Sequence, residues 1–512
     1  MRTAFQLAGF LCLVACQLAM AEGAVPNVAW QKQFQNAVKW SLLGVKADGV
    51  SDNTGALNAL PTTKPIIADC PAGAPISYAG VWKWKSDLVL WQQPDCVLES
   101  TLRGTGTYAI SQEDLNRPLT NVKVYGLSIR KDAARSTERI MRLWVDHFKL
   151  LHWKVGANGG FAFLRGSDQE IAYGVQRDTV AEVGNPGIRH IGNTPLVPNS
   201  PGMRANLWMH DNDILAGDSC YQVGQPLNTS LWTNVSTEHV LIENNRGMSM
   251  GSTLFLVGLD VNVPAFSDFH VSDVTIKDNS GGGMAGIAIF DASYPPNRVS
   301  DVRMIGGNFD ESIHGTNAAS FRFRTPTGGT VERVSIERIA VQHPNKSVMT
   351  LEGTGPIRKV SVAGSIFGAP RQGGFPTFDV ENATDFSMVG NQISGGPGGD
   401  VLLFGGHIPA GLQAVARIEV KENTIEGVGS NRSGIRLVNV DSAEIVGNVI
   451  KAGQGAKNPL GVTLTAGAQG GSRRVHVTRN RFPEWTPTPR IACAPGAQNV
   501  VEFNEGAEDC AR

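Results

Sequence analysis

Short runs of alternating apolar and polar residues recur along the chain from about residue 119. A polar residue or glycine usually follows each run, as in NVKVYGLSI (121–129), VSDVTIKDNS (271–280) and RIEVKENTI (417–425). Alternation with a period of two predicts β-strands that place their apolar side chains on one face of a sheet. The pattern therefore predicts a protein built largely from short strands.

These runs recur at a nearly regular interval. The residues that directly follow ten of them are 25 to 34 positions apart: Asn212, Asn244, Asp278, Gly306, Glu337, Gly364, Asn391, Asn423, Asn448 and Asn480. A second short strand lies between successive runs, for example GIAIF (286–290), SFRFR (320–324) and TFDVE (377–381). Two or three strands per repeat, with no room for a crossover helix, predict an all-β solenoid of the parallel β-helix type. Leucine-rich repeats and propellers would need other repeat patterns.

The segment GVKADGVSDNTGALNAL (44–60) is expected to cover the open end of the first coil. Ser51, Asp52 or Asn53 can cap a short helix, and Pro61 would end it. The ligand spacing of a calcium loop and its closing glutamate are absent. The segment is therefore predicted to be scaffold and not a metal site.

Residues 1–21 have the features of a secretory signal peptide, with an apolar run and the small-residue site AMA (19–21). No other stretch has the roughly 20 apolar residues that span a bilayer. LVAC (13–16) resembles a bacterial lipobox, so lipidation at Cys16 is the alternative to cleavage after residue 21. Both routes predict export from a bacterial cell, to the periplasm or the medium, or to the outer membrane if the chain is lipidated. Membrane attachment is expected only through Cys16.

Export permits disulfides. Cys70 with Cys96, and Cys493 with Cys510, are expected to form short-range bridges near the two ends of the chain, and Cys220 is expected to be a buried thiol.

The formal net charge is −1, which supplies no overall field to attract nucleic acid or an acidic polymer. Nucleic acid is therefore not expected as a partner, and a charged ligand must be recognised locally.

Residues 44–60 and CPAGAPISYAG (70–80) resemble the N-terminal signature of the pectin-lyase-like superfamily. The resemblance implies a right-handed parallel β-helix with an N-terminal helical cap. The expected organisation is a signal peptide (1–21), a cap with the first coils (22–118), the β-helix (119–483) and a C-terminal cap segment (484–512).

Residues 199–291 resemble the polygalacturonase family of glycoside hydrolases more closely. The corresponding turns and strand are NSPG (199–202), GDSC (217–220), NRG (245–247) followed by SMGS (249–252), and IAIF (287–290). Asp218 matches the general acid of the family. Substitutions occupy the other family positions, namely Pro201, Ser219, Arg246, Ala288 and Phe290. Ordinary polygalacturonase activity is therefore not implied.

Other carboxylates can replace the missing ones. The candidate catalytic residues are Asp218, Asp213, Asp260 and Asp291. If LFLVGLD (254–260) and IFD (289–291) stack in register, Asp260 and Asp291 would stand about 5 Å apart, which suits a retaining glycosidase. The alternative is that each of these residues only caps a turn.

SFRFRT (320–325) would place Phe321 and Phe323 in the core and send Arg322 and Arg324 outward, where they could bind uronate or sulfate groups. Ion pairs with neighbouring coils are the alternative. The candidate substrate-binding residues are Arg246, Arg322, Arg324, Tyr221, Trp208, Phe290 and His314. The histidines lack the spacing of a zinc motif, and no metal site is predicted.

The leading hypothesis is a secreted glycoside hydrolase that degrades an acidic polysaccharide in a groove on the outer face of the β-helix and needs no cofactor. A polysaccharide lyase that uses calcium is the second hypothesis. A non-catalytic glycan-binding or matrix protein on a degenerate scaffold is the third.

Overall fold

The computed structural model describes most of the chain from residue 28 onward. The described residues are 28–70, 73–102, 108–131, 139–156, 160–178, 187–191, 205–224, 235–259, 269–293, 295–312, 318–326, 328–406, 415–465, 471–483, 485, 491–493, 499–502 and 504–505. The predicted signal peptide and the Cys16 lipobox lie outside them. No helix in these ranges is long and apolar enough to span a membrane.

The chain divides into two compact units. Unit 1 comprises residues 1–189 and 205–218, and unit 2 comprises residues 190–204 and 219–512. The described part of unit 1 starts with helix α1 (Val28–Gln33), a 3₁₀ helix (Trp40–Leu43) and helix α2 (Thr54–Asn58). Its strands are β1 (Val38–Lys39), β2 (Ile66–Ala68), β3 (Ile76–Tyr78), β4 (Trp82–Trp84), β5 (Val89–Gln92), β6 (Leu98–Ser100), β7 (Tyr108–Gln112), β8 (Leu119–Tyr125), β9 (Ser128–Lys131), β10 (Arg139–Leu151), β11 (Lys154–Gly156), β12 (Ala162–Arg165), β13 (Gln169–Ala172), β14 (Val175–Arg177), β15 (Ile188–His190), β16 (Leu207–His210) and β17 (Asp213–Ala216).

Unit 2 is formed from strands alone within its described residues. They are β18 (Tyr221–Val223), β19 (Val235–Glu243), β20 (Arg246–Ser249), β21 (Phe255–Leu259), β22 (Phe269–Lys277), β23 (Ser280–Gly283), β24 (Ala288–Ala292), β25 (Arg298–Ile305), β26 (Asn308–Asp310), β27 (Phe321–Thr325), β28 (Thr330–Glu337), β29 (Ala340–Gln342), β30 (Met349–Gly353), β31 (Ile357–Ala363), β32 (Ile366–Phe367), β33 (Phe378–Val380), β34 (Thr384–Val389), β35 (Gln392–Ser394), β36 (Leu402–Phe404), β37 (Ala416–Lys421), β38 (Thr424–Val428), β39 (Ser433–Val438), β40 (Ala443–Val446), β41 (Val449–Ala452), β42 (Leu460–Thr465), β43 (Val475–Thr478), β44 (Ile491–Cys493) and β45 (Val500–Glu502).

In each unit the strands form three parallel faces, and each strand pairs with its counterpart one coil later. We name them face A (for example β22, β25 and β28), face B (β23, β26 and β29) and face C (β24, β27 and β30). A coil of unit 2 runs through face C, then face A, then face B. Aligned apolar residues such as Val274, Val302 and Val334 fill the interior. The all-β, right-handed parallel β-helix predicted from the sequence is confirmed.

The segment 44–60 is part of the scaffold. The carboxylate of Asp52 accepts hydrogen bonds from the backbone N–H of Thr54, at the start of α2, and from that of Ala79, both at 3.0 Å. The Asn53 side chain bonds to the backbone of Lys46 and Ser77. These bonds tie the helix to the next coil.

Helix α1 lies against the outer side of face A in unit 1. Its Trp30, with Phe34 just after it, packs on Tyr125, Leu151 and Ala172. All three lie on strands of face A, next to inward neighbours such as Val124 and Leu150. The helix therefore covers an apolar strip of the sheet.

A ladder of buried side chains stabilises the corner between faces A and B. The backbone N–H and the side-chain amide of Asn391 both donate to Oδ1 of Asn423, at 2.9 Å each, and Asn423 bonds in the same way to Asn448. Asn448 continues the ladder to Asn480, and Asn480 to Asn504. The ladder satisfies polar groups that would otherwise be buried without partners.

In other coils the residue that directly follows the alternating run is not the ladder residue. Asn244 and Asp278 have a positive φ of 53° and 51°, and the following residues, Asn245 and Asn279, are the buried members. Two polar residues stand side by side there, one for the left-handed turn and one for the ladder. The repeat interval alone does not distinguish them.

Cys70 and Cys96 form the predicted disulfide, with a Cα–Cα distance of 5.1 Å. Cys493 is also disulfide-bonded, and Cys510, its expected partner, lies outside the described residues. Cys220 is a buried thiol, as expected.

Candidate functional site

Face C of unit 2 presents a column of charged side chains. Alternation along β27 buries Phe321 and Phe323 and turns Arg322 and Arg324 outward, as the sequence predicted. Arg324 pairs in register with Asp291 of β24 on one side and with Glu352 of β30 on the other. One coil further on, the N–H of Glu381 donates to the carbonyl of Leu351, which aligns Glu381 with Glu352. The charged column is therefore Asp291, Arg324, Glu352 and Glu381.

The first half of the charged column is an ion-pair network. Asp291 is 0% exposed, and its Oδ2 lies 3.2 Å from Nη1 of Arg324. The hydroxyl of Ser293 donates a hydrogen bond to Oδ1 of Asp291. Nε of Arg324 lies 3.9 Å from Oε1 of Glu352. The ion pair considered as an alternative role for Arg324 is thus present, and Asp291 is engaged within it.

The second half of the charged column contains a carboxyl group whose pKa lies near neutral pH. Burial, followed by the negative charges of Asp379 and Glu352, raises the pKa of Glu381 to about 7. Asp379 stands two residues before Glu381 and pairs in register with Thr350, one coil earlier. Three carboxyl groups therefore lie close together on two adjacent coils, and the raised pKa leaves Glu381 about half protonated at neutral pH.

Arg322 lies beside these carboxyl groups, two residues before Arg324 on the outward side of β27. It pairs in register with Thr350, which in turn pairs with Asp379. Its Nη2 donates to the carbonyl oxygen of Ala285 at 3.4 Å. A guanidinium group presents N–H donors in a planar fork that matches a carboxylate, so Arg322 is of a residue type suited to bind an acidic ligand.

Sequence reasoning missed Glu352, Asp379 and Glu381. A signal was present in TFDVE (377–381), where alternation sends Asp379 and Glu381 to the same side. Only the register between coils shows that Glu352 stands beside them.

Two of the predicted catalytic residues lie in unit 1. Asp213, on face B, forms an ion pair with Arg177, with Oδ2 2.7 Å from Nη2. Asp218 is buried near Arg189, whose pKa burial lowers to about 10 while the charge of Asp218 opposes that shift. The role of Asp218 as an acid stays a prediction.

The predicted aromatic contacts need correction. Tyr221 and Phe290 were expected to face outward, but both are 0% exposed. Phe290 packs against Phe323 of the next coil at a centroid distance of 4.8 Å, and Tyr221 packs against Phe255 at 5.6 Å. Both side chains fill the interior and cannot stack on a sugar.

The predicted pairing of Asp260 with Asp291 was also wrong. The Cα partner of Asp291 on the preceding coil is Gly258, so the two strands are offset by two residues from the expected register. Asp260 and His314 themselves lie outside the described residues.

The predicted residues do not form one groove within either unit. In unit 1, Trp208 lies on face A, paired with Glu170, whereas Asp213 lies on face B. In unit 2, Arg246 is exposed on face B, whereas Arg322 lies on face C. Among the described residues, no group of three or more His, Cys, Asp or Glu is placed to hold a metal ion.

Glu311, after β26, is another carboxyl group with a raised pKa, here in a structural setting. Burial raises its pKa to about 7. Its Oε2 accepts hydrogen bonds from the Ser320 hydroxyl at 2.9 Å and from the Asn345 backbone at 3.2 Å. Because the folded protein binds this proton more tightly than the unfolded chain does, ionisation of Glu311 destabilises the fold.

Glu311→Gln is expected to stabilise unit 2 in a pH-dependent manner. Below the unfolded pKa, about 4.5, variant and wild type should have nearly the same free energy of unfolding. The difference should grow as pH rises and reach about 3 kcal/mol above pH 7, where only the wild type must ionise a buried group. Urea unfolding at several pH values measures it, with Glu337→Gln on face A as the control. An equal difference at every pH would contradict the explanation.

The fold and the charged column define a parallel β-helix with paired carboxyl groups on one outer face. Comparison with protein-family models gives no match, and comparison with curated proteins gives none. Similar solved structures include tailspike protein 3 of bacteriophage CBA120, at 13% identity over 94% of this chain and 63% of that chain, with a TM-score of 0.46. Gene product 12 of bacteriophage phi29 gives 14% identity, 94% and 57% coverage, and a TM-score of 0.44.

A family 28 exopolygalacturonase of Yersinia enterocolitica gives 10% identity, coverage of 93% of this chain and 78% of that chain, and a TM-score of 0.44. The chain spans less than two thirds of the length of both bacteriophage proteins. At these identities and scores the likeness describes the fold alone.

Proposed function

We propose that the charged column on face C of unit 2 hydrolyses glycosidic bonds in an acidic polysaccharide. The observation that carries this proposal is the position of Glu381 beside Glu352 and Asp379, where burial and their negative charges raise its pKa to about 7. Two carboxyl groups with different protonation states are the chemical requirement of a glycosidase.

Glu381 would act as the general acid and give its proton to the oxygen of the leaving sugar. Glu352, in register on the adjacent coil, would attack the anomeric carbon as the glycosidic bond breaks. Adjacent coils are about 4.8 Å apart, close to the about 5 to 5.5 Å between the carboxyl groups of retaining enzymes. Water activated by the deprotonated Glu381 would then release the sugar from Glu352. Arg322 would bind the carboxylate of an acidic sugar.

A panel of acidic polysaccharides, assayed for new reducing ends and for the configuration of the first product by NMR, tests this proposal. Cleavage with retention is expected. Cleavage with inversion would indicate that Asp379, and not Glu352, is the second carboxyl group. Asp379 and Glu381 are two residues apart along the chain, or about 6.6 Å, which suits an inverting enzyme. Unsaturated products, or none, would exclude hydrolysis at this site.

The rate of cleavage is expected to fall as pH rises through about 7. Acid catalysis needs the protonated form of Glu381, and that form is lost above its raised pKa. The measurement is kcat/KM from about pH 5 to about pH 9, with Glu444→Gln on face A as a control that keeps the wild-type profile. A rate that stays constant through about pH 7 would contradict the role of Glu381.

A further inference from the structure

Unit 1 exposes two aromatic rings near one another on its surface. Trp208, on β16, is 40% exposed, and Tyr173, directly after β13, is 46% exposed. They are the two aromatic residues among the exposed large apolar side chains of the described ranges. Leu207 and Met209, on either side of Trp208, are buried, so the indole ring projects from the outer side of face A. Exposed rings of this size mark a contact surface more often than isolated aliphatic side chains do.

A stack of further rings holds these two in place. Trp208 stacks on His210 at a centroid distance of 3.8 Å, and His210 meets Tyr173 edge to face at 5.3 Å. Tyr173 stacks on His152 at 4.8 Å, and His152 packs on Tyr125 at 4.7 Å. Rings fixed in this way lose little conformational entropy when a ligand binds. We call Trp208, Tyr173 and His210 the aromatic platform.

Charged groups surround the aromatic platform. Nδ1 of His210 lies 2.8 Å from Oδ2 of Asp211, and its Nε2 lies 3.5 Å from Oε1 of Glu170. Nζ of Lys149 lies 2.6 Å from the other oxygen of Glu170. The hydrogen bond with His210 is the main cause that lowers the pKa of Glu170 to about 2, so this carboxylate stays ionised. The rim therefore offers carboxylate oxygens as hydrogen-bond acceptors, and the positive charge of Lys149 offsets the negative charge of Glu170.

We propose that the aromatic platform binds uncharged pyranose units of a glycan. A pyranose ring has an apolar C–H face, which can lie flat on Trp208, and hydroxyl groups at its edge, which can donate to Glu170 and Asp211. Because Lys149 offsets the charge of Glu170, the rim has no excess of positive charge that would attract a polyanion such as nucleic acid. The aromatic platform extends the proposed function, since it gives the protein a second glycan site, for neutral sugars. Binding at the platform does not depend on cleavage by unit 2.

Affinity gel electrophoresis of the full chain tests this binding. The gels contain galactomannan, xyloglucan, dextran or polygalacturonate, and the protein carries Glu381→Gln to prevent turnover. At least one neutral glycan is expected to retard migration. Trp208→Ala should weaken that retardation about tenfold, Tyr173→Asn should weaken it too, and Trp208→Phe should retain most of it. Asparagine is used at position 173 because φ there is 55° and asparagine tolerates the left-handed region. Ile366→Ala, an exposed apolar residue of unit 2, is the matched control and should migrate like its parent.

Three results would overturn the aromatic platform: no retardation by any neutral glycan, equal retardation of the Trp208→Ala variant, or retardation by polygalacturonate alone. Unchanged thermal unfolding of the Trp208 and Tyr173 variants verifies that they are folded. The two proposals can fail separately. Binding of a neutral glycan, together with no cleavage of any acidic polysaccharide by the wild type, would reject the catalytic role of unit 2 and leave the aromatic platform supported.

Discussion

Glu381→Gln is expected to lower the rate of polysaccharide cleavage by about 10²- to 10⁴-fold, the usual contribution of a general acid. Glutamine has nearly the same shape but cannot give a proton to the leaving oxygen. The loss should be much smaller for an aryl glycoside with an acidic phenol as leaving group, because that group departs without protonation. Comparing kcat/KM for the two substrate types measures this difference.

Two further variants are compared with Glu381→Gln on the same two substrate types. Glu352→Gln should abolish cleavage of both substrate types, since attack on the anomeric carbon is needed whatever the leaving group. Glu444→Gln removes a carboxylate from face A and should leave both rates unchanged. If Glu381→Gln lost activity equally on both substrates, Glu381 would not be the acid.

Asn423→Ala is expected to lower the free energy of unfolding by about 3–5 kcal/mol. The Asn423 side chain accepts from the backbone and the side chain of Asn391 and donates to the carbonyl of Met388, and all of these bonds are buried. Alanine would leave these groups without partners, at about 1–3 kcal/mol for each. Urea unfolding followed by circular dichroism measures the change.

Asn308→Ala provides the control, because Asn308 lies exposed on β26 and its side chain accepts a single exposed hydrogen bond, from Gln342 at 3.2 Å. That substitution should change stability by less than about 0.5 kcal/mol. Equal effects of the two substitutions would show that the ladder does not stabilise the corner.

Sequence pattern was sufficient to predict the fold because the repeat is a physical requirement of the coil. Each coil must bury one side of each strand and turn three corners, so alternation and corner residues recur together. The same reasoning placed Phe321 and Phe323 inside and Arg322 and Arg324 outside. Alternation fails where every residue is apolar. GIAIF (286–290) has no polar position to mark its outer face, so Phe290 was assigned to the wrong side.

The candidate site was harder to predict because it depends on register between coils. Glu352 and Glu381 are 29 residues apart in the chain and become neighbours only through the pairing of β30 with β33. Loop lengths differ from coil to coil, so the sequence does not show which outward residues align. The resemblance to polygalacturonases directed attention to residues 199–291, whereas the proposed acid, Glu381, lies 90 residues beyond them.

Mass spectrometry of the oligosaccharides released from acidic polysaccharides by the wild type and by Glu381→Gln, in parallel, tests the central claim most directly. Hydrolysis at the charged column predicts products that each gain one water at a new reducing end, and predicts that the variant releases almost none. Equal release by both proteins, or products that carry a double bond in place of the added water, would contradict it.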